Sequence, residues 1–267
     1  MVRAEASRAE PSREESLAAL GGRKLVHHTT VALIPPDEAW DPIQEARALV
    51  RDRGLWRWPP HANMLYPFHE PAEFDLAAPI LSHALASVRP FEVELREFDI
   101  FEHSSRSATL WVRPDPSREG ALQELHSALE SALPHCNHQT ADHGGRFTPH
   151  LTIGHFGGRG PAEAAKAQIL ESGWSGVSFR VAYVCMMARD GPEAQFCPRY
   201  WIPLGGGAPV AADDDGFPRM PSERPEFCAV RPPRSRRRGK RKPRPRNHAN
   251  GESRAEASPT DDENASI

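Results

Sequence analysis

One short pattern occurs twice in the chain, and it constrains the fold more than any other feature. Residues 60–65 read Pro60-His61-Ala62-Asn63-Met64-Leu65, and residues 149–154 read Pro149-His150-Leu151-Thr152-Ile153-Gly154. Both give Pro-His, an apolar residue, a small polar residue and another apolar residue, with the two histidines 89 positions apart. Each copy lies on a short apolar run with strand character and follows a strand and a helix. The repetition predicts an internal duplication with one histidine per half. On a strand, residues two apart point to the same face. His61 and Asn63 therefore share a face, as do His150 and Thr152, while Ala62, Met64, Leu151 and Ile153 turn into the opposite layer. Halves packed about a pseudo-twofold axis would bring the four polar groups to one cleft.

The rest of the chain supplies elements for such halves. Lys24–Ile34 reads as a strand that ends at Pro35-Pro36. Asp41-Pro42 opens a helix that runs to about Arg53 and closes at Gly54. Ala62–Tyr66 is a strand, Glu73–Val88 a helix with apolar residues at helical spacing, and Phe91–Phe101 and Ala108–Val112 a hairpin turning at Ser104–Ser107. A helix over Ser117–Leu133, a strand over Leu151–Phe156, a helix over Pro161–Glu171 and strands over Val177–Met187 and Cys197–Leu204 complete the pattern. Helices and strands in mixed order with hairpins predict an α+β class with largely antiparallel sheets.

Apolar residues thin out before Lys24 and after Leu204, although they make up 39% of the 267 residues. Residues 1–23 therefore read as a disordered N-terminal segment, with a frayed helical turn over Ser12–Leu20. Residues 24–204 read as the folded domain. Residues 205–267 hold nine Pro, six Gly and little apolar periodicity, so they read as a disordered tail. The net charge of −3 conceals a run of ten basic residues in sixteen, Arg231–Arg246, without an acid. Such a run suits nuclear localisation or a non-specific RNA contact as well as a plain solvated tail.

Several classes are excluded. No stretch approaches the ~20 apolar residues of a membrane span, and the N-terminus has no apolar region of a secretory signal. Four irregularly spaced cysteines (Cys136, Cys185, Cys197, Cys228) read as reduced thiols of an intracellular protein. The chain lacks GxGxxG after a strand, GxxxxGK[ST] and HExxH, and no cofactor is expected.

Two imidazoles that face each other suit phosphodiester chemistry. One, neutral, takes a proton from an attacking water or hydroxyl, and the other, protonated, gives one to the leaving oxygen. An ordinary imidazole pKa of about 6.5 lets both forms exist near neutral pH. The Asn63 amide and Thr152 hydroxyl can donate to non-bridging phosphate oxygens. This chemistry requires no metal.

At this point a resemblance becomes specific. The segment Arg57-Trp58-Pro59-Pro60-His61-Ala62-Asn63-Met64-Leu65-Tyr66-Pro67-Phe68 and the segment Phe147-Thr148-Pro149-His150-Leu151-Thr152-Ile153-Gly154 resemble the two signatures of the two-histidine phosphoesterase superfamily. That superfamily includes the RNA 2′,5′-ligase-like proteins and cyclic nucleotide phosphodiesterases, and its pattern is His-x-Thr/Ser-x, twice. The second signature matches in full. The first carries Asn63 where Thr or Ser is expected, which keeps a donor but no hydroxyl. The resemblance spans roughly Lys24–Leu204. It implies a bilobal fold with two mostly antiparallel sheets flanking a cleft and helices outside.

It also implies a metal-independent phosphoesterase acting on RNA-derived or nucleotide phosphodiesters with a 2′,3′-cyclic phosphate, a 2′,5′ linkage or a 1″,2″-cyclic phosphate. His61 and His150 would be the acid/base pair, and Asn63 and Thr152 would bind substrate. A different class of function, an RNA- or nucleotide-binding module without turnover, is the alternative that Asn63 supports. The expected partner is an RNA or nucleotide phosphodiester, with no membrane. The compartment is cytoplasmic, or nuclear if the basic run is a localisation signal in a eukaryote.

The remaining histidines and aromatics read more plainly. His27 and His28 face opposite ways on the first strand, with surface placement favoured. His155, an odd number of residues beyond His150, should face away from it. His135, Cys136, His138 and His143 cluster after the third helix but match no standard zinc spacing, and no metal is expected. Tyr66 and Phe147 suit base stacking or the core, with the core favoured.

Overall fold

Two antiparallel sheets carry the two motif strands, each at a sheet edge. The computed structural model of the protein describes residues 12–192 and 194–212. The first sheet holds β1 (Thr29–Leu33), β2 (Ala62–Leu65), β7 (Tyr183–Ala188), β8 (Cys197–Pro203) and β9 (Val210–Ala211) in the order β2-β1-β7-β8-β9. The second holds β3 (Phe91–Ser104), β4 (Ser107–Pro114), β5 (Leu151–Phe156) and β6 (Val177–Val181) in the order β5-β4-β3-β6. Four strands correspond one to one: β2 with β5, β1 with β4, β7 with β3, and β8 with β6. The edge strands β2 and β5 adjoin. This is the expected α+β, bilobal arrangement.

The duplication extends to the hydrogen-bond register. In the first sheet Ala32 pairs with Asn63 and Val31 with Leu65, so Met64 is skipped. In the second, Trp111 pairs with Thr152 and Leu110 with Gly154, so Ile153 is skipped. Each motif strand thus bulges at the third residue after its histidine. A bulge adds one residue to one strand and reverses the alternation beyond it. Met64 and Leu65 are accordingly both buried in the main core, as is Ile153. At the equivalent of Leu65 the chain has Gly154, where a Cβ would come within 3.2 Å of the Phe156 ring and 3.3 Å of Val50.

The main core runs between the two sheets, with Leu33, Ala62 and Met64 from one and Val93, Leu151, Ile153 and Phe179 from the other. Among the described residues six helices surround the sheets: α1 (Arg13–Leu20), α2 (Trp40–Leu49), α3 (Phe74–Leu85), α4 (Pro116–Ala132), α5 (His138–Ala141) and α6 (Arg159–Glu171). Helix α3 packs on α1, α4 and β8, and α6 packs on β3, β4 and β5. A second cluster of Ala32, Ile34, Trp40, Cys185, Met187, Phe196 and Trp201 covers the other face of the first sheet. None of the helices among the described residues is long and apolar enough to cross a membrane. The described cysteines, Cys136, Cys185 and Cys197, are free thiols.

Several expectations need correction. Residues 12–23 are ordered: Ser12 and Glu15 form a reciprocal capping box, and Leu20 at the helix end is fully buried. The N-terminal segment is thus docked from Ser12 onward. Helix α2 ends four residues before Arg53. Arg51 takes a left-handed φ of 55°, with Arg51 N–H bonding Ala48 O and Asp52 N–H bonding Arg47 O. That is a Schellman closure with arginine where glycine is usual, so Gly54 does not close the helix. The run Val177–Met187 is two strands, which part at Ala182 and join different sheets. Beyond Leu204 the chain turns and adds β9 to β8. Residues 1–11 and the basic run Arg231–Arg246 lie outside the described residues.

Candidate active site

His61 sits at the threshold of β2 and His150 at the threshold of β5, both half-buried. Each ring is locked by the same local bond. His61 Nδ1 donates to Pro59 O at 2.9 Å, and His150 Nδ1 donates to Thr148 O at 2.8 Å. A carbonyl only accepts, so Nδ1 carries the hydrogen in both rings and Nε2 is the nitrogen that titrates. Asn63 and Thr152 follow two residues on, on the same faces as their histidines.

The bulges change what joins them. Thr109 pairs with His155 and Trp111 with Thr152, and Thr109 and Trp111 are two apart on a regular strand. His155 therefore shares the face of Thr152, contrary to the simple count. Tyr66, five residues after His61 as His155 is five after His150, returns to the cleft face in the same way. Its ring lies edge-on to Trp58 at 6.4 Å, and its hydroxyl donates to His27 O at 3.1 Å. His28 pairs with Glu70 at the surface, at 3.0 Å.

Aromatic walls differ between the halves. Trp58 stacks on His61 with ring centres 4.3 Å apart, and Phe196 stacks on Trp58 at 3.4 Å. Phe101 stands edge-on to His150 at 5.1 Å and stacks on Trp111 at 4.5 Å. Phe147, at the position equivalent to Trp58, stacks instead on buried His126 at 3.8 Å.

Several groups offer hydrogen bonds into this region. The Thr30 hydroxyl lies 2.8 Å from Asn63 Oδ1 and 3.1 Å from Leu65 O, which ties the Asn63 side chain to β1. The equivalent hydroxyl in the second sheet, Thr109, meets His103 Nε2 at 3.0 Å. The buried indole nitrogen of Trp111 has no acceptor among the described residues. The same is true of Nε on Arg57 and Arg189. Both guanidinium charges act on Tyr66. Burial and then the neighbouring Arg189 charge hold Arg57 below its ordinary pKa.

Behind the first motif lies a buried ion pair. Arg47 Nη2 meets Asp52 Oδ2 at 3.0 Å, with the side chains 3% and 2% exposed. Arg47 also donates to Gln44 Oε1 and to Trp58 O, which fixes the chain just before His61. Asp52 Oδ1 accepts from Gly54 N–H and lies 3.8 Å from His155 Nδ1. Burial alone would raise the Asp52 carboxyl, but His155, Arg47 and the Gly54 N–H together hold it below the usual carboxylate range.

These surroundings set the protons. Burial above all pushes His61 down to about 3, with Arg47 and His150 adding repulsion and the Pro59 carbonyl and Asp52 opposing. His150 is also lowered, by burial first, with the Thr148 carbonyl opposing and His143, His103 and His155 adding repulsion. Two neutral imidazoles with free Nε2 lone pairs, hydrogen-bond donors beside them and cations at one side make a site for an anion that gains or loses protons.

The 2′-5′ RNA ligase superfamily model matches residues 35–193, more than half of the chain. The chain belongs to that superfamily, within the two-histidine phosphoesterases. Solved structures are similar to it at low identity. TT0787 of Thermus thermophilus is 20% identical with a TM-score of 0.45, covering 67% of this chain and 98% of that one. Usb1 of Kluyveromyces marxianus is 12% identical with a TM-score of 0.41, covering 66% and 97%. E. coli LigT complexed with 3′-AMP is 17% identical with a TM-score of 0.41, covering 70% and 99%. No curated protein matches the sequence.

Sequence reasoning named His61, Asn63, His150 and Thr152 as site residues. The structure places Thr30, Trp111, Arg57, Arg189 and the Arg47–Asp52 pair near them, which the sequence did not indicate, and it puts His155 on the other face from the one expected. Thr30 and Trp111 lie on interior strands with no motif of their own, and only strand pairing brings them to the site.

Proposed function

We propose that the protein is a phosphoesterase that opens RNA-derived or nucleotide phosphodiesters, of the 2′,3′-cyclic or 2′,5′-linked kind, by acid–base chemistry at His61 and His150. The observation that carries this reading is the pair of imidazoles with identical Nδ1 locks on adjoining edge strands. His61, held neutral beside the permanent charge of Arg47, is the base. His150, which lies on the adjoining edge strand without an arginine among the charges that act on it, is the acid.

For a 2′,3′-cyclic phosphate, His61 Nε2 takes a proton from water as the water oxygen bonds to phosphorus. One ribose P–O bond breaks, and the leaving oxygen takes a proton from Nε2 of His150, which enters the step as the imidazolium after taking that proton from solvent. One water is consumed and a ribose phosphomonoester results. The Asn63 amide, Thr152 hydroxyl and Trp111 indole N–H donate to the non-bridging oxygens as charge builds there. Arg57 and Arg189, beside Tyr66, hold a further phosphate of the substrate. The imidazole steps themselves call on no metal.

The test is turnover of an oligonucleotide ending in a 2′,3′-cyclic phosphate, in EDTA, followed by the end group formed. Conversion to a monophosphate that His61→Ala and His150→Ala each abolish is the expected result. An unchanged end group with tight binding would favour the second reading, a nucleotide-binding module. The replacement of a motif hydroxyl by Asn63 is the observation on that side.

A further inference from the structure

Away from the cleft, three donor atoms from two distant segments converge. His69 Nε2 and His135 Nε2 are 2.8 Å apart, and Cys136 Sγ lies 3.7 Å from His69 Nε2. All three atoms fall within 4.8 Å of one another. His69 is fully buried and Cys136 is 2% exposed, so these are not chance neighbours on a mobile surface. His69 follows the first motif strand, and His135 and Cys136 follow α4. Neither part of the group belongs to the acid–base machinery.

We propose that His69, His135 and Cys136 form a zinc(II) site that ties the loop after β2 to the loop after α4. Zinc bound to nitrogen at ~2.0–2.1 Å and sulfur at ~2.3 Å holds its ligand atoms roughly 3.3–3.7 Å apart in tetrahedral geometry. The His69–Cys136 spacing already fits this geometry, and the two imidazole nitrogens need to part by about half an ångström. Two imidazoles and a thiolate select zinc over magnesium or calcium, which prefer oxygen. The half-exposed side at His135 leaves a fourth position for water.

A second observation points the same way. Glu73 Oε2 lies 3.4 Å from His69 Nδ1, the nitrogen that faces away from the cluster. The carboxylate is itself fixed, by the Glu70 N–H at 3.2 Å and by Arg23 at 3.3 Å. A carboxylate behind a histidine sets its tautomer and turns its other nitrogen toward a metal. On binding, the Cys136 S–H bond breaks, its proton passes to solvent and the sulfur–zinc bond forms. The proton shared between the two Nε2 atoms moves to the outer nitrogen of its ring. Of the nearby histidines that the linear pattern grouped with Cys136, His143 lies close enough to act electrostatically on His150.

The experiment uses the full chain. Zinc is measured in the purified protein and after dialysis against zinc(II), and cobalt(II) is then substituted as a spectroscopic probe. About one equivalent of zinc is expected, and the cobalt form shows a thiolate-to-cobalt charge-transfer band with tetrahedral d–d bands. Cys136→Ser removes the charge-transfer band, and His69→Gln removes stoichiometric binding. Free zinc roughly a hundredfold above its dissociation constant raises the melting temperature of the wild type by ~5–10 °C. A wild-type chain that retains no zinc after dialysis would overturn the proposal, as would a cobalt complex without the thiolate band. The wild-type cobalt spectrum decides the matter even where a variant does not fold.

Discussion

The two halves hold their histidines by the same backbone device and surround them differently. The Nδ1 bond to the carbonyl two residues back, the edge-strand position and the bulge three residues on are common to both. The first half then adds Trp58 over the ring and Arg47 behind it. The second adds Phe101 and Trp111 at the ring edge and three further histidines around it. Duplicated backbone therefore decides which nitrogen titrates, while the local side chains decide whether it is charged. In the proposed reading, these neighbours turn a symmetric scaffold into an asymmetric acid–base pair.

The most severe test of that comparison removes each ring in turn. His61→Ala and His150→Ala should each lower kcat by ~10²–10⁴ while circular dichroism stays native. A loss confined to one variant would make the other half structural. Next comes Asp52→Ala, which strands Arg47 in the interior behind His61 and should cost about 3–5 kcal/mol of stability, read as a lower denaturation midpoint. A smaller loss would mean that Arg47 finds water, and that the first half is less preorganised than its geometry indicates.

Asn63→Ala should cost about 1–3 kcal/mol of transition-state stabilisation, the range for a lost hydrogen bond to a charged group, measured as kcat/KM. Asn63→Thr, which makes the first motif match the second, should keep or raise the rate. A silent Asn63→Ala would leave the phosphate to Thr152 and Trp111.

The pH profile sharpens the comparison further. An acid with a lowered pKa makes kcat/KM fall about tenfold per pH unit on the alkaline side, with the turn below the ordinary histidine value. Stability moves the other way. The folded chain prefers neutral His61, so between about 6.5 and 3 the unfolded chain binds the extra proton. The stability contributed by that preference is full above 6.5 and is lost as pH falls through that window. The smallest effect belongs to the arginines. Arg57→Ala or Arg189→Ala should raise KM about threefold to fivefold, the ~1 kcal/mol of a partly exposed charge contact. The increase should vanish for a substrate with a single phosphate.

Much of this was readable in the sequence because strand alternation and a repeated motif are local signals. The pairing of His61 with Asn63 and of His150 with Thr152 needs only two-residue periodicity. The bulges were not readable, since Met64 and Ile153 are ordinary strand residues and their being skipped depends on the neighbouring strand. His155, beyond the second bulge, was therefore placed on the wrong face. The split at Ala182 carries no glycine or proline, so one apolar run looked like one strand. Helix α1 was underestimated because its short sequence has few apolar residues, and burial of Leu20 against the core supplies what propensity lacks. The cluster of His69 with His135 and Cys136 joins residues more than sixty positions apart, beyond any local pattern.

The central claim is that the two equivalent histidines do opposite work, and leaving-group dependence tests it most directly. Each alanine variant would be assayed on a 2′,3′-cyclic phosphate and on a phosphodiester whose leaving group, a nitrophenolate, departs without protonation. The account predicts that His150→Ala regains most of its activity on the nitrophenyl substrate, because only the acid is missing. His61→Ala should stay impaired on both, because water is still not deprotonated. Recovery of His61→Ala in place of His150→Ala, or equal impairment of both on the nitrophenyl substrate, would contradict the assignment.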